Sequence, residues 1–416
     1  MRLAFTVCLA QLAVEFCVLG TLGMTLDMLK ISKDTPLCYP FDEKKVPHTL
    51  YTGNSSMGSV PVLEYKISEL TSFDSEFELR TLDPEGIIFL GDIGAVTNWF
   101  LLAVQKGHLS VQTSRGNGRV VVNAGPLISD GQWKKIVVAK RETDVSVSVN
   151  GDQVVSVQQS PESRDAELGD GLLRIAIGAS LPNSIPIGIR GALDACMRSW
   201  DWVKQDSSAL LQHSHTQGCW ENIVPGSFFP GNGHVGFLPE TFGNVTAEGE
   251  GSTWVLSMEL AFRPVEDTGV LFAVVDPHRN VSFSLSLYQH TKDLVLHLKD
   301  QVFGSSSAPP SLCSGESQFL QLQVRAGQVM TELGGDKVTR KLEEQDFHFL
   351  RAVWRQPGTM VYLGGLPVIS TEGSSSFHGC LQAKIQGVDV DLDLAQVKSG
   401  DIRSYSCPSA LDIQGK

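Results

Sequence analysis

Hydrophobic and polar residues alternate over short stretches of this chain, which is the spacing of half-buried β-strands. Residues 77–81 alternate in this way, and residues 86–90 beside them are apolar throughout. Residues 144–157 place two valine-rich runs on either side of Asn150-Gly151, the dipeptide preferred in type I′ hairpin turns. Turn signals are closely spaced and helical periods are few. We therefore predict an all-β protein of antiparallel, jelly-roll-type sandwiches, with one brief helix near 207–213.

The pattern of the first half of the chain recurs in the second half. Residues 83–92 read DPEGIIFLGD, and residues 267–276 read DTGVLFAVVD. Residues 174–197 and 360–381 share a glycine-containing strand pattern, a loop and a cysteine. A repeat of roughly 180 residues is longer than a solenoid unit and falls within the usual size of a domain. The sequence therefore predicts two copies of one domain.

The repeat divides the chain into segments. Residues 1–24 resemble a secretory signal peptide, with Arg2 ahead of a nearly apolar run. Residues 25–59 are predicted to be an irregular N-terminal segment, and residues 409–416 a C-terminal tail. The two domains are predicted at 60–221 and 222–408, and each is long enough to bury its own core. Because no later stretch is long and apolar enough to span a bilayer, we expect a secreted, extracellular chain without membrane insertion.

Charge and motif content narrow the classes of function. The net charge is −13, and the lysines and arginines are scattered, which argues against a nucleic acid or an anionic membrane as partner. The motifs of serine hydrolases, zinc proteases and P-loop enzymes do not occur, so we do not expect an enzyme. Glycosylation sequons begin at Asn54, Asn244 and Asn280, as expected for a secreted chain.

Six cysteines remain after the signal peptide. Cys196 and Cys219 occupy places in the first repeat that match those of Cys380 and Cys407 in the second. We therefore predict one disulfide in each domain, formed in an oxidising compartment. Cys38 and Cys313 have no counterparts in the other repeat: they could pair with each other, pair between chains or stay free.

Two stretches of the first repeat allow more than one interpretation. Asp83-Pro84-Glu85-Gly86 joins two predicted strands and offers a carboxylate and free carbonyls, which are the ligands of calcium. The same four residues also suit a plain turn, and spacing alone favours the turn. Residues 99–104 begin with two aromatics and continue as an apolar strand. They could be ordinary core or could line a pocket between two sheets.

Several motifs of the first repeat are similar to those of laminin G-like domains. They are residues 77–92, Trp99-Phe100, residues 124–126, residues 130–133, residues 174–178 and residues 191–198. Taken in order, they resemble the sex hormone-binding globulin family of tandem laminin G-like proteins. The likeness covers about residues 60–408 and is strongest in the first domain. Related pairs follow Gla and EGF modules, whereas here the signal leads almost directly into the first domain, which favours the steroid carriers.

The resemblance implies an extracellular carrier of sex steroids, androgens and oestrogens, with the steroid between the sheets of the first domain. Ser75 matches the serine that bonds the steroid A-ring oxygen. Asn98 matches an aspartate that contacts the C17 hydroxyl, and an amide can both donate and accept there. The asparagine that contacts the same hydroxyl falls on Arg115, with Asn117 two residues away. This departure leaves open which side chain binds the C17 end and which steroid is preferred.

The resemblance also implies pocket walls and a metal site. Phe100 and Leu173 match apolar wall positions. The family's calcium site would use Asp83 with the carbonyls of Glu85 and Ala192, which reverses the preference for a plain turn.

The remaining expectations concern zinc, partners and an alternative function. A zinc-binding histidine of some members falls on Asp170, so zinc is not expected. The family pattern further implies a homodimer through the laminin G-like domains. The alternative is an adhesion or receptor-ligand protein that binds protein or glycan at its surface. An apolar cavity with Ser75 and Asn98 at opposite ends would favour the carrier.

Overall fold

The computed structural model describes a defined part of the chain: residues 38, 41–53, 60–93, 99–115, 118–141, 144–158, 171–179, 188–189, 191–208, 210, 218–243, 254–288, 293–299, 301–307, 309–367 and 375–410. Several sequence-based predictions lie outside these residues: the signal peptide, Asn54, Asn98, Asn117, Asp170, Asn244 and residues 209 and 211–213 of the predicted helix.

The first repeat and the segment before it form antiparallel strands. The strands are β1 (Lys45–Val46), β2 (Leu50–Tyr51), β3 (Val62–Lys66), β4 (Ser75–Thr81), β5 (Gly86–Asp92), β6 (Trp99–Gln105), β7 (His108–Arg115), β8 (Gly118–Leu127), β9 (Lys134–Arg141), β10 (Asp144–Val149), β11 (Asp152–Gln158), β12 (Leu172–Ile177), β13 (Ala195–Asp201) and β14 (Cys219–Trp220). In the described residues they make two six-stranded sheets, ordered β11-β10-β9-β4-β13-β2 and β3-β12-β5-β6-β7-β8, and the pair β1-β14.

The second repeat forms a further set of strands. They are β15 (Ile223–Val224), β16 (Ser227–Pro230), β17 (His234–Phe237), β18 (Leu256–Pro264), β19 (Gly269–Val275), β20 (Val281–Tyr288), β21 (Asp293–Leu298), β22 (Gln301–Ser307), β23 (Gln318–Arg325), β24 (Gln328–Leu333), β25 (Asp336–Lys341), β26 (Met360–Leu363), β27 (His378–Ile385), β28 (Val388–Asp389), β29 (Val397–Ser399) and β30 (Cys407–Pro408).

Two sheets of the second repeat stack in the same way as those of the first. Their strand orders are β16-β27-β18-β23-β24-β25, with β28 beside β27, and β22-β21-β20-β19-β26-β17-β29; β15 and β30 form a separate pair. Short 3-10 turns occur at Ile67–Glu69, Pro239–Phe242, Pro310–Cys313 and Leu392–Leu394. The predicted all-β architecture of antiparallel sandwiches is therefore confirmed.

The patterns that predicted strands correspond to strands in the structure. β4 alternates because Phe77 and Leu79 enter the core between the sheets. β5 is apolar from Gly86 to Leu90 because both of its faces are covered, and six of its seven residues are buried. The hairpin of β10 and β11 turns at Asn150 and Gly151, whose positive φ angles of 53° and 95° suit a type I′ turn.

A helix in the second repeat was not predicted. α1 (Glu344–Arg355) buries four apolar residues against the core of the second sandwich: Phe347, Leu350, Val353 and Trp354. Their spacing of three, three and one residues is helical, so the signal was present in the sequence. One such helix among many strand patterns was overlooked. No helix of the described residues is long and apolar enough to cross a bilayer.

The N-terminal segment is more ordered than the sequence suggested. β1 pairs with β14 and β2 with β13, so part of the segment predicted as irregular belongs to the first domain. Strands of two residues are too short to show a periodic pattern, which is why the sequence did not reveal them. Phe41 forms a bridge with Ala410, and the amide of Cys38 donates to the Val265 carbonyl. The segment therefore contacts both domains.

Three disulfides connect the described cysteines. Cys196–Cys219 and Cys380–Cys407 are the pairs that the repeat predicted. The third bond joins Cys38 to Cys313 and thereby ties the N-terminal segment to the second domain. This resolves the pairing that the sequence left open.

Candidate functional site

One end of the first sandwich has interior side chains that are not fully buried. Tyr65, Leu70, Phe100 and Leu173 pack on the core between the sheets and stay half-buried. The strand registers place Tyr65, Phe100 and Leu173 close together, because Leu173 pairs with Tyr65 and both Phe100 and Ile175 pair with Gly91. We call these four residues the half-buried end. They leave apolar surface beside a closed core, as a site for an apolar ligand requires.

Ser75 lies at the start of β4 on the inner face, two and four residues before the core residues Phe77 and Leu79. It is 5% exposed, and its Oγ accepts a hydrogen bond of 3.1 Å from the backbone N–H of Val203. Because Oγ is the acceptor in this bond, the hydroxyl hydrogen is available for a second partner.

The turn that contacts Ser75 also borders the half-buried end. Trp202 stacks on Phe77 at 5.2 Å between ring centroids and meets Phe89 edge-on at the same distance. Phe89 stacks in turn on Phe100 at 5.7 Å. Three residues after Val203, the Asp206 carbonyl accepts a hydrogen bond of 3.4 Å from Tyr65 Oη. Ser75, Phe100 and Tyr65 are thus connected through one aromatic cluster and one turn.

The structure therefore brings three of the predicted pocket residues, Ser75, Phe100 and Leu173, to the interior of one domain. Arg115 is the last residue of β7. Because Ser114 pairs with Trp99, this end of β7 lies beside the start of β6. Trp202, whose ring contacts Phe77 and Phe89, was not singled out from the sequence. Its position after the strand that contains Cys196 does not indicate whether its side chain belongs to the core or to a site.

The second predicted site is the turn between β4 and β5. Asp83 is 1% exposed; its Oδ1 accepts from the Glu85 N–H at 3.0 Å, and its Oδ2 accepts from the Asp194 N–H at 2.9 Å. Ala192 is 7% exposed and bridges to Ile87 in the next strand. The three predicted calcium residues therefore meet at one corner of the first sandwich.

The electrostatics of this corner suit a cation. The pKa of Asp83 is raised to about 9, mainly by burial and to a smaller extent by the carboxylates of Asp393 and Asp194, with two backbone hydrogen bonds opposing the shift. Burial also raises the pKa of Asp393 to about 6. A bound cation would favour the ionised carboxylates. No group of three or more acidic, histidine or cysteine side chains is arranged as metal ligands in the described residues, so an ion here needs backbone carbonyls.

Asp194 also joins the two domains. Its Oδ2 accepts from Tyr51 Oη at 2.6 Å and from the Tyr405 N–H at 3.2 Å, and its Oδ1 accepts from Ser406 Oγ. Close by, the Arg403 guanidinium lies over the rings of Tyr51 and Trp220, at 4.2 and 3.9 Å from their centroids. The predicted calcium corner is therefore part of the contact between the domains.

Comparison with known proteins identifies the family. The laminin G domain family matches residues 79–207 and again residues 262–387. Sex hormone-binding globulin of Oryctolagus cuniculus is 31% identical over 358 residues, which cover 84% of this chain and 85% of that protein. The chain belongs to the tandem laminin G-domain family that includes sex hormone-binding globulin. Membership in this laminin G-domain family places the chain among binding proteins rather than enzymes, as its motif content predicted.

Other relatives share the same pair of domains. Growth arrest-specific protein 6 of Mus musculus is 31% identical over 413 residues, and vitamin K-dependent protein S of Oryctolagus cuniculus is 30% identical over 397. This laminin G-family chain spans 60% of the length of each of those two proteins. The solved LG4-5 domains of the mouse laminin alpha1 chain match 90% of it at 21% identity with a TM-score of 0.67, which supports the fold.

Proposed function

We propose that this protein is an extracellular carrier that binds sex steroids, androgens or oestrogens, between the sheets of its first laminin G domain and regulates their availability. The observation that carries the proposal is the half-buried end of the first sandwich, with the Ser75 hydroxyl beside it. Support also comes from the relative at 31% identity, which is named for binding sex hormones.

The energetics of such a site are favourable. Enclosing several hundred Å² of apolar steroid at ~25 cal/mol per Å² provides on the order of 10 kcal/mol before ordering costs. Nanomolar binding requires about 12 kcal/mol in all. Apolar burial therefore supplies most of the affinity, and polar groups at the ends of the steroid select among steroids, because an unmatched buried polar group costs ~1–3 kcal/mol.

Equilibrium binding of tritiated dihydrotestosterone and oestradiol to the full chain tests the proposal. We expect saturable binding of at least one of them at nanomolar concentration, displaced by unlabelled steroid. The absence of saturable binding at micromolar concentration, with a folded protein, would reject the carrier. The binding of a protein or glycan at the surface would then be the function to pursue.

We further propose a structural calcium ion at the corner of the first domain, held by the Asp83 carboxylate with the carbonyls of Glu85 and Ala192. Asp83 is buried, and no cationic side chain of the described residues forms an ion pair with it, which supports this assignment. The ion would stabilise the ionised carboxylates at the contact between the domains. It would have no part in a reaction.

Secretion, glycosylation and dimer formation complete the proposal. Asn280 is exposed, as an acceptor for glycan must be, and its side-chain amide donates a hydrogen bond to Asp276.

Dimer formation is proposed at the edge strand β8. This strand exposes Val121 and Leu127 by 49% and 48%, and pairing of two such edges would satisfy its free backbone groups. Treatment of the purified protein with an endoglycosidase tests glycosylation, and light scattering tests dimer formation.

A further inference from the structure

The first sandwich contains a buried donor without an acceptor. Trp202 is fully buried, and its indole Nε1 has no hydrogen-bond partner among the described residues. A buried donor left unpaired costs about as much as a lost hydrogen bond, so native proteins rarely retain one. Such a group calls for an explanation, and a ligand that supplies the acceptor is one.

The ring that carries this donor is connected to the proposed steroid site through its neighbours. Trp202 immediately precedes Val203, whose N–H binds Ser75 Oγ at 3.1 Å, and its ring contacts Phe89, which stacks on Phe100. Val203 has a φ of 48°, a left-handed conformation that is strained for a β-branched residue. Such strain is typical of backbone that is held in place at a functional site.

We propose that the Trp202 indole N–H, together with the Ser75 hydroxyl, donates to a carbonyl oxygen at one end of the bound ligand. This inference rests on the proposed function and makes it more specific, because it assigns an A-ring ketone as the preferred ligand group. The ligand replaces the acceptor that the protein does not provide.

The hydrogen-bond inventory of the site explains the preference. A ketone oxygen has two lone pairs and no hydrogen, so it can accept from both donors and leave nothing unpaired. An alcohol or phenol brings a hydrogen of its own that needs an acceptor. If it donated that hydrogen to Ser75 Oγ, which also accepts from Val203, the Ser75 hydroxyl hydrogen would in turn need another acceptor. An A-ring hydroxyl would therefore leave one donor unsatisfied and bind less tightly.

Three steroids that differ at one atom test this inference on the full chain. Dihydrotestosterone has the A-ring ketone, androstanediol has an alcohol in its place, and androstan-17-ol, called androstanol below, has no A-ring oxygen. For the wild type we expect dihydrotestosterone to bind about tenfold more tightly than androstanediol, the equivalent of one unsatisfied group. In Trp202→Phe, binding of dihydrotestosterone should weaken about tenfold, and binding of androstanol by less than about threefold.

A matched control exists in the second domain. Trp254 is 4% exposed, and its Nε1 also has no hydrogen-bond partner in the described part of the chain. Trp254→Phe removes the same group from the other sandwich and should leave the affinities for all three steroids unchanged. An equal loss for all three steroids in Trp202→Phe would overturn the inference, since the ring and not its N–H would then be responsible.

A measurement on the unmutated chain covers the case in which Trp202→Phe does not fold. With ¹⁵N-labelled tryptophan, the indole proton near the rings of Phe77 and Phe89 should move downfield with dihydrotestosterone and not with androstanol. Equal shifts with both steroids would contradict the inference while leaving steroid binding established. A wild type that binds none of the three steroids would instead reject the proposed function, and the inference with it.

Discussion

The two sandwiches share one fold but differ in how one end of the interior is filled. Arg80 pairs with Cys196 in the first domain, and Arg263 pairs with Cys380 in the second, so the two strands align. Five residues before each arginine, Ser75 corresponds to Met258. Met258 is 1% exposed and belongs to the core of the second domain. A polar group in one domain thus occupies the place of a methionine in the other.

The apolar wall positions differ in the same sense. Phe100 of the first domain corresponds to Phe283 of the second, because Phe100 pairs with Gly91 as Phe283 pairs with Val274. Phe100 is half-buried, whereas Phe283 is only 1% exposed.

Leu173, also half-buried, corresponds to Thr359 by the pairing of β12 with β5 and of β26 with β19. Thr359 is fully buried, and its Oγ1 donates to the Val353 carbonyl at the end of α1.

Helix α1 contributes to the filled end of the second sandwich. Its four buried apolar residues close the interior of the second sandwich. Among the described residues, the two domains therefore differ in a small set of side chains at this end of the interior.

The largest expected effect comes from filling the half-buried end. Leu173→Trp should weaken binding of dihydrotestosterone at least about a hundredfold, or ~2.7 kcal/mol, because the larger ring takes the place of the steroid. The melting temperature should change little, since Leu173 is half-buried. Titration with tritiated steroid and thermal unfolding measure the two effects.

The equivalent change in the second domain should do the opposite. Thr359→Trp overpacks a fully buried position and breaks its bond to α1, so the second domain should lose ~3 kcal/mol or more. Steroid affinity should stay unchanged at temperatures where the domain is folded. A Leu173→Trp protein that binds steroid normally would show that the two ends do not differ in function.

The next effect in size concerns calcium. Calcium at a hundred times its Kd should stabilise the first domain by ~2.7 kcal/mol, so chelation should lower its melting temperature by several degrees. Asp83→Asn should remove this response because the amide carries no charge. Differential scanning calorimetry with and without chelator is the measurement.

Asp267 provides the matched control for calcium. It lies in the corresponding turn of the second domain, between β18 and β19, is also 1% exposed, and has an Oδ1 without a hydrogen-bond partner in the described residues. Asp267→Asn should leave the response of the first domain to calcium intact. If Asp83→Asn still responded to chelation like the wild type, the proposed site would be wrong.

A smaller effect is expected at Ser75. Ser75→Ala removes one hydrogen bond to the steroid and should weaken binding by ~1–1.5 kcal/mol, or about tenfold. The counterpart change, Met258→Ala, should destabilise the second domain by ~2–5 kcal/mol without altering steroid affinity. If the wild type and Ser75→Ala bound steroid with equal affinity, Ser75 would not be in contact with the steroid.

The smallest effect is expected at Arg115. Arg115→Asn restores the residue that the family resemblance implies for the C17 end. We expect it to change the order of affinity among steroids that differ at C17, and to change the mean affinity by less than about threefold. Competition among testosterone, androstenedione and oestradiol measures the order. An unchanged order would indicate that Arg115 does not contact the C17 group.

The sequence by itself determined the features that depend on neighbouring residues and on the repeat. The hairpin at Asn150-Gly151 follows from the preference of these residues for positive φ, and β4 and β5 follow from local patterns of burial. The internal repeat predicted the two domains and two of the three disulfides. The family resemblance supplied Ser75, Phe100 and Leu173, which composition and spacing could not have singled out.

Only the tertiary structure decided the features that depend on contacts between distant residues. Cys38 meets Cys313 across 275 residues, and Asp83 meets the Asp194 amide across 111, so no local pattern records either contact. The unpaired N–H of Trp202 is likewise invisible in sequence, because satisfaction of a donor depends on every group that packs around it. The difference between the half-buried end and its filled counterpart has the same origin, since it is set by how two sheets and one helix meet in space.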